Sequence, residues 1–463
     1  MSREKYLKIS PVGWMVGIAI LIFFACSSFR HTLFQSGAFD LGFFDNALYL
    51  ISQGQPPFVV FNNVHVFGDH AAYLLYPLAL LYKIVPDIHW LFAVQAITLG
   101  LGALPTFYLA KEAGLKKAQA VAMAAVYLLY PLVFNVNLFD FHPEVIALPA
   151  ILAAVLAVRL GQIGWFCLCI IVILGCKAVL SLTVAAMGIW LLAFEKRRLY
   201  GAIALGAGIA WFLIATQVIF PTFGVNQPSA IARYKHLGNS LPEIIKSLLL
   251  HPGVVFSQIF TSVNFGYLIL LISPVVWGLS PYYLTPLLGA IPTLSLNLIT
   301  DYHRQKDLIH QYSLPILPFL LLAVIANLAS GGGWFRSHRL IILWALIAFL
   351  ALGKYSYLWS KYLSSLDTWQ ANQEAIEHIR TQEGVLTTDA IAPHLTHRPV
   401  IKLVSKDLDS INFNQVKYVL LNVRNPGAEA PHQSVIRLLY RIKQDPTFHL
   451  TYERDDVFLF EKT

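Results

Sequence analysis

The sequence has 463 residues, of which 57% are hydrophobic and 13% charged, and its formal net charge is +8. The charged share is about half that of an ordinary soluble domain, which excludes a soluble globular protein. The basic residues lie mainly at the ends of apolar runs, a pattern typical of membrane orientation rather than of nucleic-acid binding. We therefore predict an integral, multi-pass membrane protein that contacts membrane lipid and has no nucleic-acid partner.

Apolar runs near the roughly 20 residues that cross a bilayer recur from Val12 to Leu350. The first run, residues 12–29, follows a basic start but no clear cleavage site, so we predict a retained anchor. The four cysteines all lie inside apolar runs, where thiols behave as small hydrophobes. They indicate neither a disulfide nor a metal set.

One threading places every basic turn on the cytoplasmic side, as the positive-inside rule requires. Those inner segments are the N-terminus and residues 111–117, 159–162, 195–198 and 336–339.

The same threading leaves residues 30–88 and 221–257 as large outer loops and puts everything after Lys354 outside. This threading requires that residues 73–85 do not cross the membrane. Their modest length and their prolines suit a re-entrant or interfacial segment. The fold class is therefore an α-helical polytopic membrane protein of about eleven transmembrane helices, spanning residues 1–365.

From about Leu366 onward the composition is typical of a soluble protein. This change predicts a small α/β domain over residues 366–463, outside the membrane. Its predicted helices are residues 369–382 and 434–444. Its predicted strands are residues 385–388, 400–404, 416–422, 448–452 and 457–460, the last two joined by a hairpin turn at 453–456.

Two carboxylates in the first outer loop are candidates for function, because ionisable groups near a membrane are costly. Asp40 also suits a helix cap, since a helix is predicted to begin after it. Asp45 lies five residues further on, about 140° around an ideal helix. The two side chains therefore cannot share one face and are expected to have different roles.

The second outer loop contains Asp140, His142 and Glu144 around Pro143. A helix start explains the proline and the glutamate, because proline suits the first turn and a carboxylate complements the positive helix end. In an extended loop, residues two apart point to the same side. Asp140 and His142, with Glu144, are therefore candidate ligands of a divalent metal ion.

Basic residues of other outer loops face the same compartment. Lys177 interrupts the apolar run 165–194, where it suits phosphate recognition or, as the simpler alternative, snorkels to the interface. Arg233 lies in the loop 221–257, and Arg304, His310 and Tyr312 lie in or beside the loop 301–311.

Several short motifs together resemble a bacterial membrane-protein family of unassigned function that is grouped with the glycosyltransferase C (GT-C) superfamily. They are Phe-Asp-Leu-Gly at 39–42, Asp-Asn-Ala-Leu at 45–48, Phe-Gly-Asp-His at 67–70, Phe-His-Pro-Glu at 141–144, His-Gln-Tyr at 310–312 and the segment 392–398. The resemblance covers roughly residues 12–320 and extends more loosely into residues 366–463, which we call the tail.

The superfamily implies transfer of a sugar from a polyprenyl-phosphate carrier to an acceptor, at the outer face of a bacterial inner or plasma membrane. It also implies an essential carboxylate in the first outer loop, here Asp40 or Asp45. The implied substrate-binding and phosphate-binding residues are His70, Lys177, Arg233, Arg304, His310 and Tyr312.

One departure from the relatives keeps other functions open. They carry acidic residues directly after the lysine that matches Lys177, whereas this chain has Ala178 and Val179. Altered specificity or a non-catalytic binding or assembly role remains an alternative. A lipid or polysaccharide transporter is a weaker one, because broken helices and midplane charges in two related halves are not evident.

Overall fold

The computed structural model describes residues 10–61, 63–223, 229–405, 407–409 and 411–463. The predicted basic start, residues 1–8, lies outside the described residues, as do residues 224–228 of the predicted loop 221–257.

Helices dominate the first three quarters of the chain. The described α-helices are α1 Pro11–Thr32, α2 Phe43–Ser52, α3 Val66–Asp69, α4 Leu75–Ile84, α5 His89–Leu101, α6 Ala103–Glu112, α7 Lys117–Leu128, α8 Pro131–Asn137, α9 Glu144–Arg159, α10 Ile163–Cys176, α11 Leu180–Ala193, α12 Arg198–Ile214, α13 Phe220–Thr222, α14 Leu241–Leu250, α15 Pro252–Ile259, α16 Ser262–Ile272, α17 Ile291–Ile299, α18 Leu317–Ala329, α19 His338–Leu352, α20 Leu366–Glu377 and α21 His432–Gln444. The strands are β1 Phe58–Val59, β2 Val64–His65, β3 Val385–Thr387, β4 Ile401–Leu403, β5 Tyr418–Asn422, β6 Phe448–Arg454 and β7 Val457–Lys462.

Within the described residues, four helices are long and apolar enough to cross a membrane: Pro11–Thr32, His89–Glu112, Arg198–Thr222 and Gln311–Ala329. Three further helix pairs pass the same test together but are bent by 42°, 57° and 45°. Four shorter apolar helices accompany them, which are Leu75–Ile84, Ile163–Cys176, Leu180–Ala193 and Thr285–Ile299. The predicted count of eleven spans, and their orientation, stay predictions.

Helix α4 occupies most of residues 73–85, the segment predicted not to cross the membrane. Its ten residues span about 15 Å at the α-helical rise, half of the roughly 30 Å hydrocarbon core. That length agrees with a re-entrant or interfacial placement, which stays a prediction.

Helices α11 and α12 pack at very close range because glycines face the partner backbone. A Cβ atom built on Gly208 would lie 2.6 Å from the Ala185 nitrogen and 2.6 Å from the Ser181 carbonyl oxygen. Close approach through small residues is a common way for membrane helices to associate.

We expect Gly208→Ala to destabilise the protein by about 1–3 kcal/mol, because backbone atoms must move to admit the methyl group. Gly206→Ala is the matched control, since a Cβ on Gly206 of the same helix meets nothing within 4 Å. Alanine is the better helix former, so this control should be neutral or slightly stabilising. Thermal unfolding of both variants in detergent checks this prediction. Equal unfolding midpoints for the two variants would contradict it.

The tail forms a five-stranded sheet in the order β4-β3-β5-β7-β6. Strand β3 pairs in parallel with β4 and β5, whereas β7 pairs antiparallel with β5 and β6. The predicted tail elements are confirmed, with α20 beginning three residues earlier and ending five earlier than expected. The predicted hairpin turn is also confirmed: Asp455 and Asp456 have φ of 49° and 62°, values that suit a tight two-residue hairpin.

The sheet of the tail is covered on both faces. Along β5, Val419 and Leu421 pack with the apolar side of α21, while Tyr418 and Leu420 pack with that of α20. Successive strand residues point to opposite faces, so a strand covered on both sides is apolar throughout. The proposed domain boundary at residues 365–366 stays a prediction.

Candidate functional site

One cavity of about 2110 Å³ connects the loops that carry the predicted site residues. Ten of the eleven predicted residues line it: Asp40, His70, Asp140, His142, Glu144, Lys177, Arg233, Arg304, His310 and Tyr312. Asp45 is not among the lining residues.

Asp40 lies in a π-helical turn, Ala38–Gly42, immediately before α2. Among the described residues, no side chain caps the N-terminus of α2, so the interpretation of Asp40 as a cap is wrong. The turn is tied down on both sides instead. Gly37 donates its backbone N–H to Asp140 Oδ2 at 2.9 Å, and Ala38 donates to Asp389 Oδ1 at 2.9 Å.

The Asp40 carboxylate pairs with His142, whose Nε2 lies 3.1 Å from Asp40 Oδ1. The other ring nitrogen, Nδ1, lies 3.0 Å from the Asp140 carbonyl oxygen, which can only accept a hydrogen bond. Both ring nitrogens therefore face acceptors, so His142 is held as an imidazolium beside an ionised Asp40. The His142 side chain is 4% exposed and that of Asp40 is 34% exposed, which leaves the carboxylate open to the cavity.

Burial opposes both charges, but their mutual attraction and hydrogen bond outweigh it. The pKa of Asp40 is lowered, although burial alone would raise it, because the imidazolium stabilises the carboxylate. The pKa of His142 is raised, although burial alone would lower it, because Asp40 stabilises the imidazolium.

The predicted metal ligands each have a different partner. Asp140 forms an ion pair with Arg30, and Glu144 Oε1 lies 2.7 Å from Lys177 Nζ. Because Arg30 pairs with the Asp140 carboxylate and Asp40 pairs with His142, the three side chains do not converge in this structure, and the metal site stays a prediction. In the described parts of the chain, no group of three or more His, Cys, Asp or Glu side chains is arranged to hold a metal ion.

Arg233 has aromatic rather than acidic neighbours. Its guanidinium carbon lies 4.7 Å from the ring centre of Tyr302 and 4.9 Å from that of Tyr312. Its Nη1 donates a hydrogen bond to Gln305 Oε1 at 3.4 Å. It forms no ion pair with any described residue, so its charge remains available to an anion in the cavity.

The remaining predicted residues are partnered at the cavity wall. His70 Nδ1 lies 2.9 Å from Asp69 Oδ2, and His310 Nδ1 lies 2.7 Å from Asp307 Oδ2. Arg304 reaches a carboxylate of the tail, Glu429, at 3.5 Å. Each of these three side chains therefore lies beside a carboxylate.

Asp45 belongs to a separate pocket of about 350 Å³. It is 1% exposed and accepts a hydrogen bond from Tyr82 at 2.5 Å, while His397 Nε2 lies 3.1 Å from its Oδ2. Thr396 also donates to this carboxylate. The pKa of His397 is raised despite burial because Asp45 stabilises its charged form. Asp45 thus ties α2 to the tail.

Sequence reasoning missed several residues of the cavity. Arg30 was predicted only as the first residue of the outer loop 30–88, and Asp389, which follows the predicted strand 385–388, was not singled out. Both nevertheless hold the loop that carries Asp40. Lys354 and Lys361 line the cavity too, although neither is in a recognisable motif. A charged residue at an outer helix end was the one available signal for Arg30.

One wall of the cavity is apolar. It includes Phe212 and Leu213 of α12 and the side chains of α14, among them Ile244, Leu248 and Leu249. Leu249 is 75% exposed, so this wall continues onto the surface. A cavity with a charged end and an apolar wall suits an amphiphilic ligand.

Comparisons with known proteins place the chain by family and by fold. A family model described as "Predicted membrane protein (DUF2079)" matches residues 30–459. The crystal structure of ArnT from Cupriavidus metallidurans bound to undecaprenyl phosphate has a TM-score of 0.55 at 12% identity, covering 97% of this chain and 98% of that one. The search of curated proteins finds no match.

Two other solved structures are more distant. The apo form of the same ArnT has a TM-score of 0.47 at 12% identity, covering 97% of each chain. The Archaeoglobus fulgidus oligosaccharyltransferase AglB, in complex with an inhibitory peptide and a dolichol-phosphate, has a TM-score of 0.37 at 11% identity, covering 97% of this chain and 75% of that one. The resemblance to GT-C membrane glycosyltransferases is confirmed as a similarity of fold. Since the family model covers most of the chain, the protein belongs to the DUF2079 family of membrane proteins.

Proposed function

We propose that this protein is a membrane glycosyltransferase that moves a sugar from a polyprenyl-phosphate carrier to an acceptor at the outer face of the membrane. The observation that carries the proposal is one cavity that joins the Asp40–His142 pair, an apolar wall and Arg233, which has no acidic partner in the part of the chain that the structure describes. The similarity of fold to ArnT, solved with undecaprenyl phosphate, supports it.

Asp40 is our candidate base. The carboxylate accepts the proton of the acceptor hydroxyl while the acceptor oxygen bonds to the anomeric carbon of the sugar. The bond from that carbon to the phosphate oxygen breaks, and the carrier phosphate leaves with the electron pair. His142 holds the carboxylate in position and keeps it ionised.

Arg233 is our candidate for binding the carrier phosphate. Lys177 and Arg304, which the resemblance also implied, already face Glu144 and Glu429. A guanidinium matches the geometry of phosphate oxygens and stabilises charge that develops on them as the leaving group departs. The apolar wall formed by α12 and α14 then accommodates the prenyl chain.

Reconstitution of the full-length protein in liposomes with radiolabelled polyprenyl-phosphate sugars tests the proposal. We expect carrier-dependent transfer of label to an acceptor from bacterial envelope extracts. Binding of the carrier without turnover of any donor would favour the non-catalytic binding role instead. Vectorial movement of the intact donor across the liposome, without release of sugar, would favour a transporter.

The rate is expected to fall at alkaline pH. The pKa of His142 is raised above its usual 6.5, so the imidazolium and its contribution to stability are complete below that value and are lost as pH rises through the higher pKa. The pKa of Asp40 is lowered below 3.8, so Asp40 stays ionised throughout the assay range. When kcat is measured from about pH 5 to 9, the His142→Gln variant should no longer show the fall in rate at alkaline pH, which is the alkaline limb of the profile. An unchanged limb in this variant would contradict the role of His142.

A further inference from the structure

Two deeply buried side chains of the cavity carry oxygens that lack a hydrogen-bond donor among the described residues. Glu144 is 4% exposed and Gln311 is 3% exposed, and both line the cavity. The oxygens are Glu144 Oε2 and Gln311 Oε1. Leaving a buried acceptor unsatisfied costs about 1–3 kcal/mol, so a ligand that donates hydrogen bonds would be stabilised there.

These oxygens can turn toward a ligand without disturbing the backbone. The last torsion of glutamate and glutamine side chains is broad, and both residues line the cavity. Glu144 is additionally held at the first turn of α9, directly after His142 and Pro143. The ligand that it would bind is therefore adjacent to the Asp40–His142 pair.

The local charges select the kind of donor. Lys177 Nζ already neutralises Glu144 at 2.7 Å. A ligand ammonium group would be repelled by the Lys177 ammonium, whereas an uncharged hydroxyl would not. A hydroxyl can also accept a hydrogen bond from Lys177 while donating to Glu144, which pairs all of these groups.

We propose that Glu144, Lys177 and Gln311 form a subsite for an uncharged sugar, which they recognise through its hydroxyl groups, and that an amino sugar is disfavoured there. The inference rests on the proposed function for its place in catalysis and names its substrate class. The absence of acids at Ala178 and Val179 is consistent with it, because Glu144 then supplies the carboxylate that faces Lys177.

Binding of free glycosides to the full-length protein in nanodiscs tests the subsite without any turnover. Saturation-transfer NMR would use methyl glycosides of glucose, galactose, mannose and xylose, and methyl glucosaminide as the charged comparison. At least one neutral glycoside should bind, and the amino glycoside should bind about tenfold more weakly or less, as expected when a hydrogen bond to a charged group is lost.

The variants are Glu144→Gln, Gln311→Met and the matched control Gln382→Met, whose residue lines the separate smaller pocket. The first two should weaken glycoside binding about 10- to 100-fold, and the control should bind like wild type. If the Glu144→Gln variant does not fold, glycoside binding by the Gln311→Met variant tests the subsite. The subsite is overturned if no neutral glycoside binds, if the amino glycoside binds equally well, or if the folded variants bind like wild type.

Competition by the carrier distinguishes a donor sugar from an acceptor sugar. Displacement of the glycoside by sugar-loaded polyprenyl phosphate, but not by plain polyprenyl phosphate, assigns the subsite to the donor. No displacement by either assigns it to the acceptor. Equal displacement by both would place the glycoside in the carrier site and overturn the inference. Glycoside binding without turnover would leave the subsite intact and refute only the catalytic proposal.

Discussion

Asp40→Asn is expected to lower kcat by about 10²- to 10⁴-fold, the usual contribution of a positioned base. Asparagine preserves the size of the side chain and can still contact His142, but it cannot take up the acceptor proton. The protein should remain folded, because Asp40 is the more exposed member of its pair, at 34% against 4%. Initial rates with a radiolabelled donor, measured beside thermal unfolding of the same preparation, check both expectations.

Asp45→Asn is the matched control, since it changes the other candidate carboxylate, which lies on α2. Asp45 accepts from Tyr82 and Thr396 and faces His397. Loss of one partner of a buried charged pair is strongly destabilising, by about 3–5 kcal/mol. This variant should therefore unfold at a lower temperature. The assignment of the base to Asp40 is wrong if the Asp40 variant keeps full turnover while the folded Asp45 variant has none.

Arg233→Met is expected to weaken binding of polyprenyl phosphate about 10- to 100-fold, because a hydrogen bond to a charged group contributes about 1.5–3 kcal/mol. Methionine retains much of the apolar stem that packs against Tyr302 and Tyr312. Arg233→Lys should recover part of the affinity, since it restores the charge but not the planar fork. Binding of the plain carrier in nanodiscs provides the measurement.

Arg304→Met serves as the control for this second effect. Its guanidinium also lines the cavity, but it lies 3.5 Å from Glu429 and is about half exposed, so its charge is already engaged. The substitution should change carrier affinity much less than Arg233→Met does. A larger effect at Arg304 would show that the phosphate binds nearer the tail than we propose.

The choice between the two carboxylates shows why local sequence was insufficient. Asp40 and Asp45 do lie in different surroundings, although Asp40 is in a π-helical turn rather than in the single α-helix assumed: Asp40 lines the large cavity and Asp45 the smaller pocket. Which side faces the cavity depends on how α2 packs against α4 and the tail, since Tyr82 and His397 enclose Asp45. Those partners are distant in the sequence, so no local pattern identifies them.

The metal prediction depends on partners that are equally distant in the sequence. Residues 140 and 142 have the spacing of two ligands on an extended segment, but spacing does not reveal competing partners. Arg30 takes Asp140, and Asp40 takes His142. Each competitor is about a hundred residues away along the chain.

The sequence by itself determined the membrane class, the family resemblance, the break at Lys177 and the elements of the tail. Each of these depends on composition or on periodicity within a short window, where local propensity and burial agree. Only the tertiary structure decided that Asp40 pairs with His142, that Glu144 pairs with Lys177 and that Arg233 has no acidic partner among the described residues. Ion pairing depends on distances of a few ångströms between side chains far apart in sequence, and those distances exist only after the helices have packed.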